Sequence, residues 1–479
     1  MLAVLAATAV GVALRLPGLW TDFWLDEIWS WNLAARLDSA SQVFTGIHDS
    51  NNHHLNTLIV YWLGEQEHWA VYRFVALLSG SVCVPLAAAV LWRRGKLEAV
   101  LAAWLIAGSF ALIHFSSEAR GSGPTVAFAL AALWLLERDL ERPRLATALG
   151  FAVSIIAGFL FQLVFCFFWA GALVHSVRGL WSQRPEPGAT LLGMLRLHAL
   201  PLLAFGALWA LDLRELGVGG GEPLDPAWLT ARVVGTALGL PTAAALAWPA
   251  CLLAAALIGA GLAQLARRRD PLWVTLGVTI LLAPALVIGW FRPEVLAVRY
   301  FLIGIAATLL LCAGLAAAAL RAGGWRRAVA VGALATFAMG NAVHLARFVE
   351  HGRGGYSAAL ESMRAQTRGP IIEVGSDHDF RVGSVLKFYA RRLPEPSRLV
   401  YLPAARWPAA GPEWLVLQRQ QRGQAPAPFA TVRGAQYALA GEYDHAAISG
   451  YYWLLYHNIR HGGGDTPADA SPPARTTAY

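Results

Sequence analysis

The chain has 479 residues, of which 57% are hydrophobic and only 14% charged, and its formal net charge is +8. Soluble domains carry roughly 25% charged residues, so this deficit and the long apolar runs exclude an ordinary soluble domain and predict an integral membrane protein. The basic residues lie in short clusters between apolar segments, as topology signals do, which argues against a nucleic-acid-binding groove.

A span needs about 20 mostly apolar residues. By that length, eleven helical spans are expected near residues 1–20, 70–91, 97–115, 120–136, 145–160, 161–177, 190–211, 242–264, 271–290, 300–320 and 328–346. The first resembles a signal peptide but has neither a basic leader nor a small-residue cleavage site, and is read as a retained helix. Cys83, Cys166, Cys251 and Cys312 all fall inside apolar segments without metal-ligand spacing, as buried small hydrophobes do.

Arginine and lysine orient the spans. Arg93, Arg94 and Lys96, then Arg138, Arg142 and Arg144, then Arg178 and Arg184, then Arg267 to Arg269, then Arg321, Arg326 and Arg327 mark loops on one side. The long 21–69 loop contains only Arg36, so positive-inside bias places it outside and the N-terminus in the cytoplasm. The alanine, arginine and tryptophan content fits a GC-rich bacterial genome, hence a bacterial inner membrane. The expected division is a transmembrane module over 1–346 and a small extracytoplasmic α/β domain over 347–458. A Gly- and Pro-rich tail over 459–479 is expected to be disordered. Within the α/β domain GPIIEVGSD, RLVYLP and EWLVLQR read as strands and FRVGSVLKFYARRL as an amphipathic helix.

Four polar clusters fall on the outer side. The first is WLDEIWSW, which places Asp26 and Glu27 among Trp20, Trp24, Trp29 and Trp31. An interfacial aromatic belt accounts for the tryptophans but not for two acids, whereas a carboxylate at headgroup level suits proton abstraction from a hydroxyl. The second is Asn51-Asn52-His53-His54, closing the same loop. With Glu27, Asp49 or Glu65 it could bind a divalent metal. Adjacent histidines point apart, however, so hydrogen bonding or substrate contact is favoured over metal.

The third cluster is His114-Phe115-Ser116-Ser117-Glu118-Ala119-Arg120-Gly121, where spans three and four turn over. Arg120 reads either as an interfacial arginine paired with Glu118 or as a phosphate ligand. The fourth contains Arg299 and Tyr300 at the start of a span. A cation at a helix start opposes the dipole unless an anion is bound there.

Together these motifs resemble the GT-C glycosyltransferases, and are most similar to the glycosyltransferase 39 type, which includes protein O-mannosyltransferases and the lipid A aminoarabinose transferase. WLDEIWSW looks like that family's Asp-Glu signature, NNHHLNTLIVYWLG like its Asn-His-Pro-Leu element, SSEARGSGPTVAFAL like its Glu-Ala-Arg-Gly-Tyr element and VRYFLIGIAATLLL like its Arg-Tyr element. His54 stands where proline is usual and Ser122 where an aromatic residue is usual. The likeness spans roughly residues 10–310 and leaves the C-terminal domain aside.

The resemblance implies an inverting transferase using a polyprenyl-phosphate-linked sugar and no cofactor, with a protein, lipid or glycan as acceptor. Asp26 would be the base and Glu27 would orient the acceptor. Arg120, Arg299 and Tyr300 would hold the donor phosphate. His53, His54, Asn52 and Glu118 would shape the substrate site. A transporter or flippase of lipid-linked sugars, and a glycan polymerase or ligase, are the rival readings.

Overall fold

The computed structural model describes residues 1–183, 185–217, 225–293, 295–420, 422, 425–446 and 448–460. Arg184 and the tail beyond 460 lie outside them. By its internal contacts the chain forms two units, Met1–Gly352 with Ala446–Ile448, and Arg353–His445 with the residues from Ser449 onward.

The first unit is helical. Among the described residues eight helices are long and apolar enough to cross a membrane: Leu2–Leu19, Trp69–Leu91, Leu163–Gln183, Pro187–Leu211, Ala244–Arg267, Leu272–Phe291, Val298–Ala322 and the run from Gly324, whose first helix is Gly324–His351. Three further expected spans are present as helices that fall short of that test for separate reasons. One breaks at Ser109 into Lys96–Gly108 and Phe110–Phe115. Ser122–Glu141 carries Glu137, Arg138, Asp139 and Glu141 in its last turns. Leu145–Phe161 has only 17 residues and stops at Gln162, whose extended backbone divides the apolar run 145–177. These shorter helices supply much of the buried core, including Ile106, Leu133, Leu136 and Phe151.

Apart from Trp104, within helix Lys96–Gly108, the exposed tryptophans lie near helix ends in two groups, as amphipathic rings do at membrane interfaces. Trp20, Trp62, Trp209, Trp248 and Trp290 lie at helix ends remote from the arginine-rich loops; Trp92, Trp181 and Trp325 lie at the arginine-rich ends. Ion pairs tie the arginine-rich end together. Arg94 reaches Asp270 at 2.6 Å and Glu137 at 3.2 Å, and Arg321 reaches Glu98 at 3.0 Å.

At the other end close backbone approach sets the packing. A Cβ on Gly80 would lie 2.1 Å from Ser116 Cβ, and one on Gly18 would lie 2.2 Å from Ser117 Oγ. The turn 116–121 is thereby pressed against the end of the first helix and the helix Trp69–Leu91.

The second unit has a six-stranded sheet of β1 (Ile371–Ser376), β2 (Arg398–Tyr401), β3 (Trp414–Arg419), β4 (Phe429–Val432), β5 (Ala435–Tyr443) and β6 (Tyr452–Asn458), in the order β2-β1-β3-β6-β5-β4. The β2, β1 and β3 strands run parallel, and β3, β6, β5 and β4 pair antiparallel. Strand alternation sorts the core. Leu415, Tyr437, Tyr452, Leu454 and Tyr456 pack on one face. Trp453 on the other meets the Tyr356 ring at 4.7 Å, on helix Tyr356–Gln366. Helix Asp379–Ala390 connects β1 to β2.

Candidate active site

The helix Leu25–Ala34 begins at an extended Trp24 and carries both acids in its first turn, where negative charge suits the helix dipole. Successive helical residues point about 100° apart, so the two carboxylates face different partners. Glu27 turns to Arg73, a fully buried arginine of helix Trp69–Leu91, in a two-pronged pair of 2.8 and 2.6 Å. Arg73 also donates to the carbonyls of Gly18, Leu19, Thr21 and Asp22. Glu27 Oε1 further accepts the Ala119 N–H at 2.7 Å, while the Ala119 carbonyl accepts from Asn56 Nδ2 at 3.0 Å. Both polar groups of the residue before Arg120 are thus fixed.

Asp26 faces the other way. Its Oδ2 lies 2.6 Å from Arg120 Nη1 and 2.8 Å from Arg299 Nη1. These are close ion pairs without the alignment of hydrogen bonds, since Asp26 Oδ2 and Arg120 Nη1 make none among the described residues. Asp26 is buried, at 9% exposure, and Asn51 Nδ2 holds its carbonyl at 3.3 Å. Arg299 sits in the 3-10 turn Val298–Phe301 that opens helix Leu302–Ala322, with its guanidinium over the rings of Tyr300 and Trp24. The Nε groups of both arginines are buried and make no hydrogen bond among the described residues.

His53 completes the group. Its Nδ1 is 2.8 Å from the Phe161 carbonyl and its Nε2 is 2.7 Å from Arg120 Nη2. A carbonyl only accepts and a guanidinium only donates, so Nδ1 carries the proton and the ring is neutral. Burial, followed by the Arg120 charge, pushes its pKa well below the ordinary 6.5. The neutral ring therefore anchors Arg120 to the backbone where helix Leu145–Phe161 ends. Gly121 makes that approach feasible, because a Cβ there would lie 1.9 Å from the same Phe161 oxygen.

No family model matches the sequence, and no curated protein matches it. Solved structures do. The apo structure of ArnT from Cupriavidus metallidurans is 13% identical, with 97% of this chain and 99% of that one covered at a TM-score of 0.51. The chain has the GT-C fold. The same ArnT bound to undecaprenyl phosphate gives 12% identity, 97% and 99% coverage and a TM-score of 0.49. The archaeal oligosaccharyltransferase AglB from Archaeoglobus fulgidus, in complex with an inhibitory peptide and a dolichol-phosphate, gives 12% identity and a TM-score of 0.48, with 87% of this chain and 69% of that one covered.

Of the residues singled out in the sequence, the chain brings Asp26, Arg120, Arg299 and His53 together, with a half-buried Tyr300 beside them. It does not bring the others there in the same way. Glu27 is engaged with Arg73 and Ala119. Asn52 Nδ2 holds the Val43 and Ile47 carbonyls at 2.8 and 3.0 Å, which shapes its own loop. Glu118 accepts from the Trp24 indole. His54 turns to Asp212 at 2.6 Å, and the same buried carboxylate meets His48 at 2.8 Å. Among the described residues no group of three or more His, Cys, Asp or Glu is arranged to hold a metal ion.

Arg73 and Asp212 were not singled out in the sequence. Arg73 had a signal, being a charge five residues into an apolar helix. The Phe161 carbonyl had none, because a backbone oxygen leaves no mark in a sequence.

Proposed function

We propose that the protein is an integral membrane glycosyltransferase that moves a sugar from a polyprenyl-phosphate-linked donor to an acceptor hydroxyl, amine or phosphate group, with inversion and with Asp26 as base. The observation that carries this reading is one carboxylate held between two guanidiniums whose Nε donors are buried without partners. The buried Glu118 carboxylate also acts on both guanidiniums, so what draws a donor phosphodiester is their unfilled donors and not a net positive charge. Partnerless buried donors cost free energy that phosphate oxygens recover.

In the reaction Asp26 accepts the acceptor's proton as the acceptor oxygen or nitrogen bonds to the anomeric carbon. The bond from that carbon to the phosphate oxygen breaks on the opposite face, and its electron pair leaves with the polyprenyl phosphate. Arg120 and Arg299 stabilise the second negative charge that develops there, which is the large electrostatic contribution in such transfers. Neutral His53 adds no competing charge and keeps Arg120 aimed. Glu27 acts as a positioning residue, holding Asp26 and Arg120 in register through Arg73 and Ala119. The charged groups sit at helix ends and not midway along broken helices, which suits a transferase better than a transporter.

A methyl group tests the closeness of the turn. Gly121→Ala has to push Arg120 away from the Phe161 carbonyl, and misplacement of about 1 Å near a reacting centre costs on the order of a hundredfold in rate. Turnover of the purified variant is expected to fall by that much, with the protein still folded by circular dichroism. Normal turnover would show that the Arg120–His53–Phe161 chain does not set the geometry.

The lipid-phosphate donor is expected on the outer face of a bacterial inner membrane. With the 21–69 loop outside, Ser41→Cys reacts with an impermeant thiol reagent in intact cells and Ser182→Cys only after lysis. The reverse pattern would overturn the orientation and the donor's side with it.

A further inference from the structure

Between Ile155 and Val174 the sequence has one strongly polar side chain, Gln162. It occupies the break between helices Leu145–Phe161 and Cys166–Gln183. Its backbone is fully used: the N–H donates to Gly158 at 3.0 Å and the carbonyl accepts from Phe165 N–H at 3.0 Å. Its side chain is 4% exposed, and the carboxamide Nε2 is buried with no hydrogen-bond partner among the described residues. A buried donor left unsatisfied is costly, and aromatic neighbours such as Phe161 and Phe165 offer it no oxygen.

The peptide from which this side chain departs is also the one that anchors the site. The Phe161 carbonyl and the Gln162 N–H belong to the same amide group, and that carbonyl takes the His53 Nδ1 proton while His53 Nε2 takes Arg120. One imidazole ring therefore separates the Gln162 peptide from the guanidinium assigned to the donor phosphate. A sugar attached to that phosphate extends over a comparable length.

We infer that Gln162 is a donor-sugar contact residue, its carboxamide N–H donating to a hydroxyl or ring oxygen of the sugar on the lipid phosphate. This rests on the donor reading above and adds the group that reads the sugar. A site that hydrogen-bonds a substrate hydroxyl discriminates against sugars lacking it more strongly than an apolar wall does.

The experiment uses the full-length protein in lipid nanodiscs, with undecaprenyl phosphate and a panel of undecaprenyl-phosphate-linked hexoses and pentoses as probes. Binding is read by native mass spectrometry and folding by thermal unfolding, for the wild type, Gln162→Leu and Arg120→Ala. The wild type is expected to prefer at least one sugar-linked lipid over undecaprenyl phosphate. Gln162→Leu is expected to weaken that lipid about five- to tenfold, the worth of a neutral hydrogen bond, while binding undecaprenyl phosphate as the wild type does. Its unfolding temperature should hold or rise, because a partnerless buried amide has been removed, and Arg120→Ala should weaken both lipids. Equal weakening of both lipids by Gln162→Leu would place the amide on the phosphate and overturn the sugar assignment. Unchanged binding with a lowered unfolding temperature would make it a structural amide. Wild-type protein that binds none of the lipids would overturn the donor reading and this inference together, an outcome distinct from the other two.

Discussion

Asp26→Asn is expected to abolish most sugar transfer while leaving donor binding in place. Asparagine keeps the shape of the side chain but cannot take up the acceptor's proton, and general base catalysis contributes typically 10²- to 10⁴-fold. Loss in that range should appear in turnover number, measured with purified protein in lipid against a polyprenyl-phosphate-sugar. Asparagine also leaves Arg120 and Arg299 without their shared anion, so phosphate binding should hold or tighten. The contrast with Glu27→Gln is informative. Glu27 pairs with a fully buried Arg73, and breaking a buried pair costs about 3–5 kcal/mol. Both variants should therefore lose thermal stability, since Asp26→Asn also strips a buried carboxylate from Arg120 and Arg299, and turnover per folded protein is what separates them. Full activity in Asp26→Asn would reduce Asp26 to an interfacial acid.

Replacing the arginines should act on the donor. Arg120→Ala and Arg299→Ala each remove a charged contact to phosphate worth about 1.5–3 kcal/mol, or roughly ten- to over a hundredfold. The apparent donor affinity and the rate should both fall, because the same charge binds the ground state and stabilises the leaving phosphate. Lysine should rescue only in part. At 120 it keeps the charge, but it lacks the planar fork with which Arg120 meets Asp26 and His53 at once. Steady-state kinetics with varied lipid donor would decide, and normal kinetics in both alanine variants would leave the two residues as ordinary interfacial arginines.

The residues that meet at the site were legible because each breaks a local pattern. Two acids in a tryptophan belt, an arginine opening an apolar helix and paired histidines closing a loop all cost free energy without a purpose. Their partners were less legible. Arg73 stood in plain view within an apolar helix, yet nothing in the linear sequence joins it to Glu27, 46 positions away. Which of two adjacent histidines faces the arginine is decided by a one-residue change of direction, and the sequence treats His53 and His54 alike. Asp212 lies 158 residues from the histidine it binds.

The fold follows the same division. Helical segments were readable from apolar run length, including the division expected between 160 and 161, one residue from the end of helix Leu145–Phe161. In the C-terminal unit the parallel strands β1, β2 and β3 stood out through short apolar runs. The antiparallel strands β4 and β5 did not, because Phe429–Val432 is only four residues long and Ala435–Tyr443 is rich in alanine and glycine, and β6 (YWLLYHN) lacks the β-branched residues that mark a strand.

The measurement that tests the central claim most directly compares the lipids and proteins of the cell envelope by mass spectrometry in three strains. One carries the wild-type protein, one lacks it and one carries Asp26→Asn at the same abundance. The account predicts that one envelope molecule loses the mass of a sugar in both altered strains, while the polyprenyl-phosphate-linked form of that sugar persists or accumulates. Identical spectra in all three, or a full complement of the sugar in the Asp26→Asn strain, would contradict it.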